Sequence, residues 1–183
     1  MIRNVSDRPE TLELLRKGHG VTRCHTASWL SPETVGHHSA GVAALVLLVY
    51  APSLPPSKLL AAAIYHDLPE QYTGDLPAMV KWNHTELKEA LSKVEQEFWD
   101  MTAFGIDPVH HLYPHEVAVL KWCDITDLAF AFRDELWKGN SRALPDAMRC
   151  VKHLNKLAEG LTEYKGVHEL TLYITMEIDH YVD

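Results

Sequence analysis

A histidine followed directly by an aspartate, His66-Asp67, puts an imidazole nitrogen and a carboxylate near one point of the chain. Both are good ligands for divalent Mn, Fe, Co, Ni or Zn. The pair stands in Ile64-Tyr65-His66-Asp67-Leu68-Pro69-Glu70, at the inward end of an apolar helical segment. Alone it is weak evidence, since a surface residue beside a helix cap reads the same way. Two other segments strengthen it. His38 opens a nearly apolar stretch, Gly41 to Leu48, and shares a helical face with Gly41, Val42 and Leu45, so it should point into a core. Asp124 lies among apolar neighbours in Leu120-Lys-Trp-Cys-Asp-Ile-Thr-Asp-Leu128. A buried carboxylate is expensive unless paired or bound to a cation. Asp127 competes for that role, and either acid could instead pair with Lys121 or Arg133. Three helices offering His38, His66 with Asp67, and Asp124 can build a metal site in a bundle core, with water or substrate oxygen in the remaining positions.

The elements that must hold these residues read as helices throughout. Pro9 to Lys17 suggests a short first helix. Ser31 is a good N-cap, with Pro32 at the first helical position, for a helix running to about Tyr50. Pro56 to Gln71 follows, then Thr85 to Phe104 with Leu87, Leu91, Val94 and Phe98 at spacings of three and four. His115 to Lys138 is long and stopped by Gly139. Pro145 to Leu161 and Val167 to Val182 complete the set, although Leu172-Tyr-Ile-Thr by itself could be a strand. Repeats, low-complexity stretches and linkers are not evident. The expected fold is an all-α bundle, one domain over residues 1–183, with the metal site in its core.

Bulk properties narrow the classes. The chain has 183 residues, 46% hydrophobic and 23% charged, as in an ordinary globular protein. Its formal charge of -8 argues against a nucleic-acid polymer or membrane surface as partner. A small anion can still bind where a metal and a few cations are concentrated. Cys24, Cys123 and Cys150 lack CxxC spacing and read as reduced thiols of a cytoplasmic protein, in a bacterium or a phage-infected cell. The start of the chain lacks the apolar core of a signal peptide. The longest apolar run, Ala40 to Ala51, is too short for a membrane span, which takes roughly 20 residues. Twelve histidines are many for this length and hint at metal chemistry.

His38, His66-Asp67 and Asp124, in this order, resemble the H…HD…D signature of HD-domain metal phosphohydrolases. The resemblance is closest to the YfbR-like 5′-deoxynucleotidase group, through Glu33-Thr-Val-Gly-His-His-Ser39 and His66-Asp-Leu-Pro-Glu-Gln-Tyr-Thr-Gly-Asp-Leu-Pro77. The second string is far more specific than HD alone. Phage dATP triphosphohydrolases of the DatZ type are also similar. The likeness runs from about Arg23 to Arg133. It implies that His38, His66, Asp67 and Asp124 hold a divalent transition metal (Co, Mn, Zn, Ni or Fe), with Mg an option on the phosphates. Glu70, one turn beyond His66, would position or deprotonate the attacking water. Asp75 would meet the sugar 3′-hydroxyl and can cap its own turn at the same time, and Arg23 would bind phosphate with its planar fork. Lys81 and Lys121 would add phosphate contacts. The reaction implied is metal-assisted hydrolysis of a nucleotide phosphate ester. A GxxxxGK[ST] loop is absent, which argues against a P-loop ATPase.

The substrate side departs from the pattern. Where the YfbR-like group has a tryptophan after the arginine, this chain has Cys24. Thr26 and Met79 stand where DatZ-type enzymes place an isoleucine and a proline against adenine. Trp29 offers a substitute stacking surface, or plain packing. His110-His111-Leu-Tyr-Pro-His115 fits no closed tetrahedral metal pattern and reads as a polar loop. The leading expectation is a 5′-deoxynucleotidase on nucleoside monophosphates, working as a dimer or larger homo-oligomer. The rivals are a deoxynucleoside triphosphohydrolase, and a catalytically inactive HD scaffold that senses nucleotide.

Overall fold

The computed structural model describes residues 7–182 apart from Thr26, Ser28 and residues 77–83. Its elements in order are α1 (Asp7–His19), α2 (Val35–Tyr50), α3 (Ser57–Tyr65), α4 (Glu70–Thr73), α5 (Thr85–Asp100), α6 (Pro114–Trp137), α7 (Leu144–Ala158) and α8 (Lys165–Asp179). Short 3₁₀ turns at Pro108–His111 and Ser141–Ala143 precede α6 and α7. Among the described residues there is no β-strand, only an isolated antiparallel bridge between Thr22 and Thr34. The segment Leu172–Thr175 is helical, so the local strand tendency is overridden by packing. No helix among the described residues is long and apolar enough to cross a membrane.

Helix α6 is the axis of the bundle, packing on α2, α3, α7 and α8. The inward stripe is Val119, Leu120, Trp122, Cys123, Ile125, Ala129, Phe132 and Leu136. It meets Val42, Leu45, Val46 and Val49 of α2 in the main core. Gly139, at φ 88°, ends the helix as its sequence position predicts.

Two boundaries differ from expectation, and both matter for the site. Helix α2 starts at Val35 with Thr34 as N-cap, accepting from the His37 amide at 3.3 Å, rather than at Ser31-Pro32. Residues before it are held away from helix: Arg23 N–H donates to the Glu33 carbonyl and Val35 N–H to the Val21 carbonyl, each at 2.8 Å. The Leu30 and Ser31 amides donate to the buried Glu135 carboxylate at 2.6 and 3.0 Å. The expected helix 56–71 is broken after Tyr65. Pro69 lacks an N–H, and within a continuous helix its ring would clash with the Tyr65 carbonyl. The Leu68 and Glu70 amides donate instead to Tyr65 and Asp67 carbonyls, at 3.1 and 3.0 Å, in a tightened turn. His66 and Asp67 stand on that turn.

A smaller cluster fixes the turn from behind. Leu68 is buried with Phe98 and Trp99 of α5, and Leu14, Leu15 and Tyr65 pack around them. Gly18 of α1 lies so close that a Cβ there would meet the Leu68 carbonyl oxygen at 2.9 Å.

Candidate metal centre

Helix α2 and the turn after α3 bring His38, His66 and Asp67 together, and α6 sets Asp124 beside His38. His38 is fully buried, with Nε2 3.6 Å from Asp67 Oδ2 and 3.2 Å from Asp124 Oδ1. His66 Nε2 lies 3.5 Å from the same Asp67 oxygen. One ligand atom each from His38, His66 and Asp67 falls within 4.8 Å of the others. His66 Nδ1 is 3.1 Å from the Ala63 carbonyl, which can only accept, so Nδ1 carries the proton and the neutral ring keeps its lone pair on Nε2. Both Nε2 atoms are buried without a hydrogen-bond partner, although Asp124 Oδ1 comes within 3.2 Å of that of His38. Buried polar atoms in this state are unfavourable unless something completes them. Two imidazoles and a carboxylate converging this way fit a divalent transition metal.

Opposite charges meet around this point. Arg23 is buried, its guanidinium 3.9 Å from Asp67 and 3.8 Å from Glu33. Burial opposes its charge, but Asp67 and Asp124 raise its pKa above the ordinary arginine value. Burial pushes Asp67 towards protonation, yet His66, Arg23 and His38 hold its carboxyl below the usual range. Asp124 is held well below it against burial, by Lys121 and His38; Lys121 Nζ sits 2.9 Å from Asp124 Oδ2. Burial disfavours a charged His38, but the carboxylates of Asp124 and Asp127 outweigh it and raise the imidazole to about 9.

Asp124 and Asp127 do not compete for one place. Asp124 stands at Nε2 of His38, whereas Asp127 Oδ2 is 2.7 Å from Nδ1 on the other edge of the ring. Arg133 joins neither; it pairs with Asp134 at 2.6 Å and lies over Phe130 and Trp137. Glu33 is a participant that the sequence reading passed over. Its carboxylate is grouped with His38 and Asp127 within 4.8 Å, and burial raises its pKa. The spacing His38–Gly41 and Asp124–Asp127, three residues in each helix, was the available signal for a shared face.

The remaining candidates distribute unevenly. Glu70 is buried at the start of α4, not a solvated glutamate at a helix end, and its charge contributes to the field at Arg23. Asp75 accepts a hydrogen bond from the Cys24 amide across the fold. Cys24 has φ 50°, a left-handed conformation that this tether helps to hold. Burial, countered in part by Arg23, pushes its thiol up to about 12. Thr26, Met79 and Lys81 lie outside the described residues. Trp29 packs on Phe132 with ring centres 5.1 Å apart, against the main core, so packing accounts for it. His110 and His111 end a 3₁₀ turn and His115 stacks on Tyr113; among the described residues no candidate metal cluster includes them.

Comparison with known proteins gives this arrangement a context. The sequence profile described as 5′-deoxynucleotidase YfbR-like matches residues 11–103. A 5′-deoxynucleotidase of Erwinia tasmaniensis is 30% identical over 141 residues, covering 67% of this chain and 71% of that one. One from Vibrio parahaemolyticus is 38% identical over 73 residues, but that alignment spans only 38% of its length and 36% of this chain. In three dimensions the chain is similar to the cyanophage S-2L HD phosphohydrolase DatZ, solved with dA and one catalytic Zn²⁺. The TM-score is 0.68 at 20% identity, covering 93% of this chain and 96% of that one. At that identity the likeness speaks for the fold, a helical HD-domain bundle. The chain belongs to the YfbR-like 5′-deoxynucleotidase family.

Proposed function

We propose that this protein is a metal-dependent 5′-deoxynucleotidase, hydrolysing the phosphate ester of deoxynucleoside monophosphates. The observation that carries the proposal is the pair of buried, unpartnered Nε2 atoms of His38 and His66 converging on Asp67 beside a buried arginine. In this reading His38, His66, Asp67 and Asp124 hold the metal. When bound, a divalent ion supplies Lewis acidity, polarising the phosphoryl group and making water a better nucleophile at neutral pH.

The chain's own residues do the rest. Arg23 offsets charge on the phosphate, where low exposure makes its donors more effective than in water. Glu70 orients the attacking water and takes its proton. Asp75 meets the sugar 3′-hydroxyl with the oxygen not used on Cys24. Cys24, Thr26 and Met79 border the base and sugar, and Lys81 and Lys121 add cations for the phosphate. The metal is Co, Mn, Zn, Ni or Fe, and Mg accompanies the phosphates if a longer anion is used. A cytoplasmic dimer or larger homo-oligomer belongs to the same reading; light scattering on the eluting protein measures it.

The test is incubation with deoxynucleoside mono- and triphosphates in the presence of Mn or Co, with products resolved by chromatography. Inorganic phosphate and deoxynucleoside from monophosphates are expected. Free triphosphate from the triphosphates would replace the proposal with a triphosphohydrolase. Nucleotide binding without turnover would point to a sensor. Asp67→Ala should lose both bound metal and hydrolysis, and hydrolysis retained in that variant would refute the site.

A further inference from the structure

We propose that Asp127 is a positioning residue for metal binding, orienting His38 from behind, and that Gly41 exists to make room for it. The proposal rests on His38 acting as a metal ligand, as argued above. His38 is completely buried; its Nδ1 is hydrogen-bonded to Asp127 Oδ2 of α6 at 2.7 Å, while its Nε2 lies 3.2 Å from Asp124 Oδ1 with no hydrogen-bond partner. A charged carboxylate can only accept, so Asp127 holds a proton on Nδ1. The neutral ring then has its lone pair on Nε2, the atom facing Asp67 and Asp124, and its plane is fixed.

Gly41 supplies the independent observation. It lies one turn after His38 in α2, and a Cβ there would fall 1.8 Å from Asp127 Oδ1 and 2.7 Å from Cγ. No side chain fits unless the carboxylate moves away. A glycine in mid-helix is unfavourable for the helix itself. Its presence here is explained by the carboxylate packed against it, and the two residues form one device that spans α2 and α6.

The experiment measures zinc affinity by competition with a chromophoric chelator, on the full chain stripped of metal. Asp127→Ala should weaken zinc binding about 10- to 100-fold, the usual effect of removing a hydrogen-bond partner of a ligand. Asp127→Asn keeps an acceptor for Nδ1–H and should recover most of that loss, a rescue that general loosening of the fold would not give. Gly41→Ala should weaken binding in the parent chain, yet add little in the Asp127→Ala background, because the displaced group is already gone. Zinc affinity of Asp127→Ala within twofold of the parent, or costs of the two substitutions that simply add, would overturn the proposal. If Asp127→Ala does not fold, the Asn and Gly41→Ala variants decide it: an unchanged affinity in Gly41→Ala overturns it. A parent chain that binds no zinc at all would instead overturn the metal site itself, and this first measurement uses no variant.

Discussion

Lys121 Nζ and Asp124 Oδ2 are 2.9 Å apart, one turn from each other along α6, with Lys121 half exposed at the rim of the candidate centre. A cation on a proposed ligand competes with the metal for that carboxylate and is at the same time well placed for a phosphate. Replacing Lys121 with Met should therefore separate two quantities. Metal affinity should rise by about two- to fivefold, the scale of an exposed ion pair. KM for nucleotide should rise as well, because the incoming phosphate loses a positive charge. Chelator competition and steady-state kinetics on one preparation measure both. Metal affinity that falls in this variant would mean that Lys121 supports Asp124 rather than competing for it.

The pH dependence follows from His38, whose folded value is about 9 against an ordinary 6.5. A raised value means that the folded, metal-free chain binds the proton more tightly than the unfolded one. That contribution is fully present below about 6.5 and is lost as pH climbs through about 9. The metal-free protein should accordingly melt at progressively lower temperature from pH 6.5 to pH 9.5. Metal must displace the same proton, so apparent zinc affinity should increase over that interval, by up to about tenfold per pH unit, and level off near pH 9. Opposite slopes for the two measurements are the signature. A flat zinc affinity between pH 7 and pH 9 would show that His38 sheds no proton on binding.

Much of this arrangement was legible in residue order. The spacing of apolar residues reads as helices because each one buries a single face, and the observed helix ends agree within a few residues except at two places. At Ser31-Pro32 the local capping chemistry is good, but Glu135, more than a hundred positions away, takes the Leu30 and Ser31 amides and keeps the segment out of the helix. At Pro69 the apolar pattern continues while the backbone cannot. For the site, residue type and order were enough to bring forward His38, His66, Asp67 and Asp124. They could not tell Asp124 from Asp127, since both lie on one face of α6 and the difference is only which ring nitrogen of His38 each meets. Glu33 was hidden for the opposite reason. It stands outside any helix, and only the bridge between Thr22 and Thr34 brings it beside Arg23.

Cys24 stands next to Arg23, which invites a reading as a reactive thiol. Burial wins over the guanidinium, and the nearby acids Asp75 and Glu33 add to it, so the thiol is pushed up to about 12 from an ordinary 9. The thiolate fraction at pH 8 then falls about a thousandfold relative to an unfolded cysteine. Alkylation of the native chain by iodoacetamide at pH 8 should be slower at Cys24 by about that factor than after denaturation, with the labelled peptide identified by mass spectrometry. Fast native labelling would mean that the Asp75 tether to the Cys24 amide opens readily in solution.

The turn that carries His66 and Asp67 is held from behind by Leu68, fully buried against Phe98 and Trp99 with Gly18 pressed on its backbone. Truncating it leaves a cavity that the rigid aromatic pair cannot easily close. Leu68→Ala should cost about 2–5 kcal/mol of stability, or roughly 5–15 °C in melting temperature for a chain of this size. Because Leu68 directly follows Asp67, the loss should also reach the site: metal should bind more weakly even at temperatures where the variant is fully folded. A thermal melt and a zinc titration at 15 °C test the two consequences separately. If the melting temperature falls as expected while zinc affinity stays unchanged, α5 stabilises the fold without setting the geometry of the His66-Asp67 turn, and Pro69 and the Tyr65–Leu68 hydrogen bond would be sufficient to hold it.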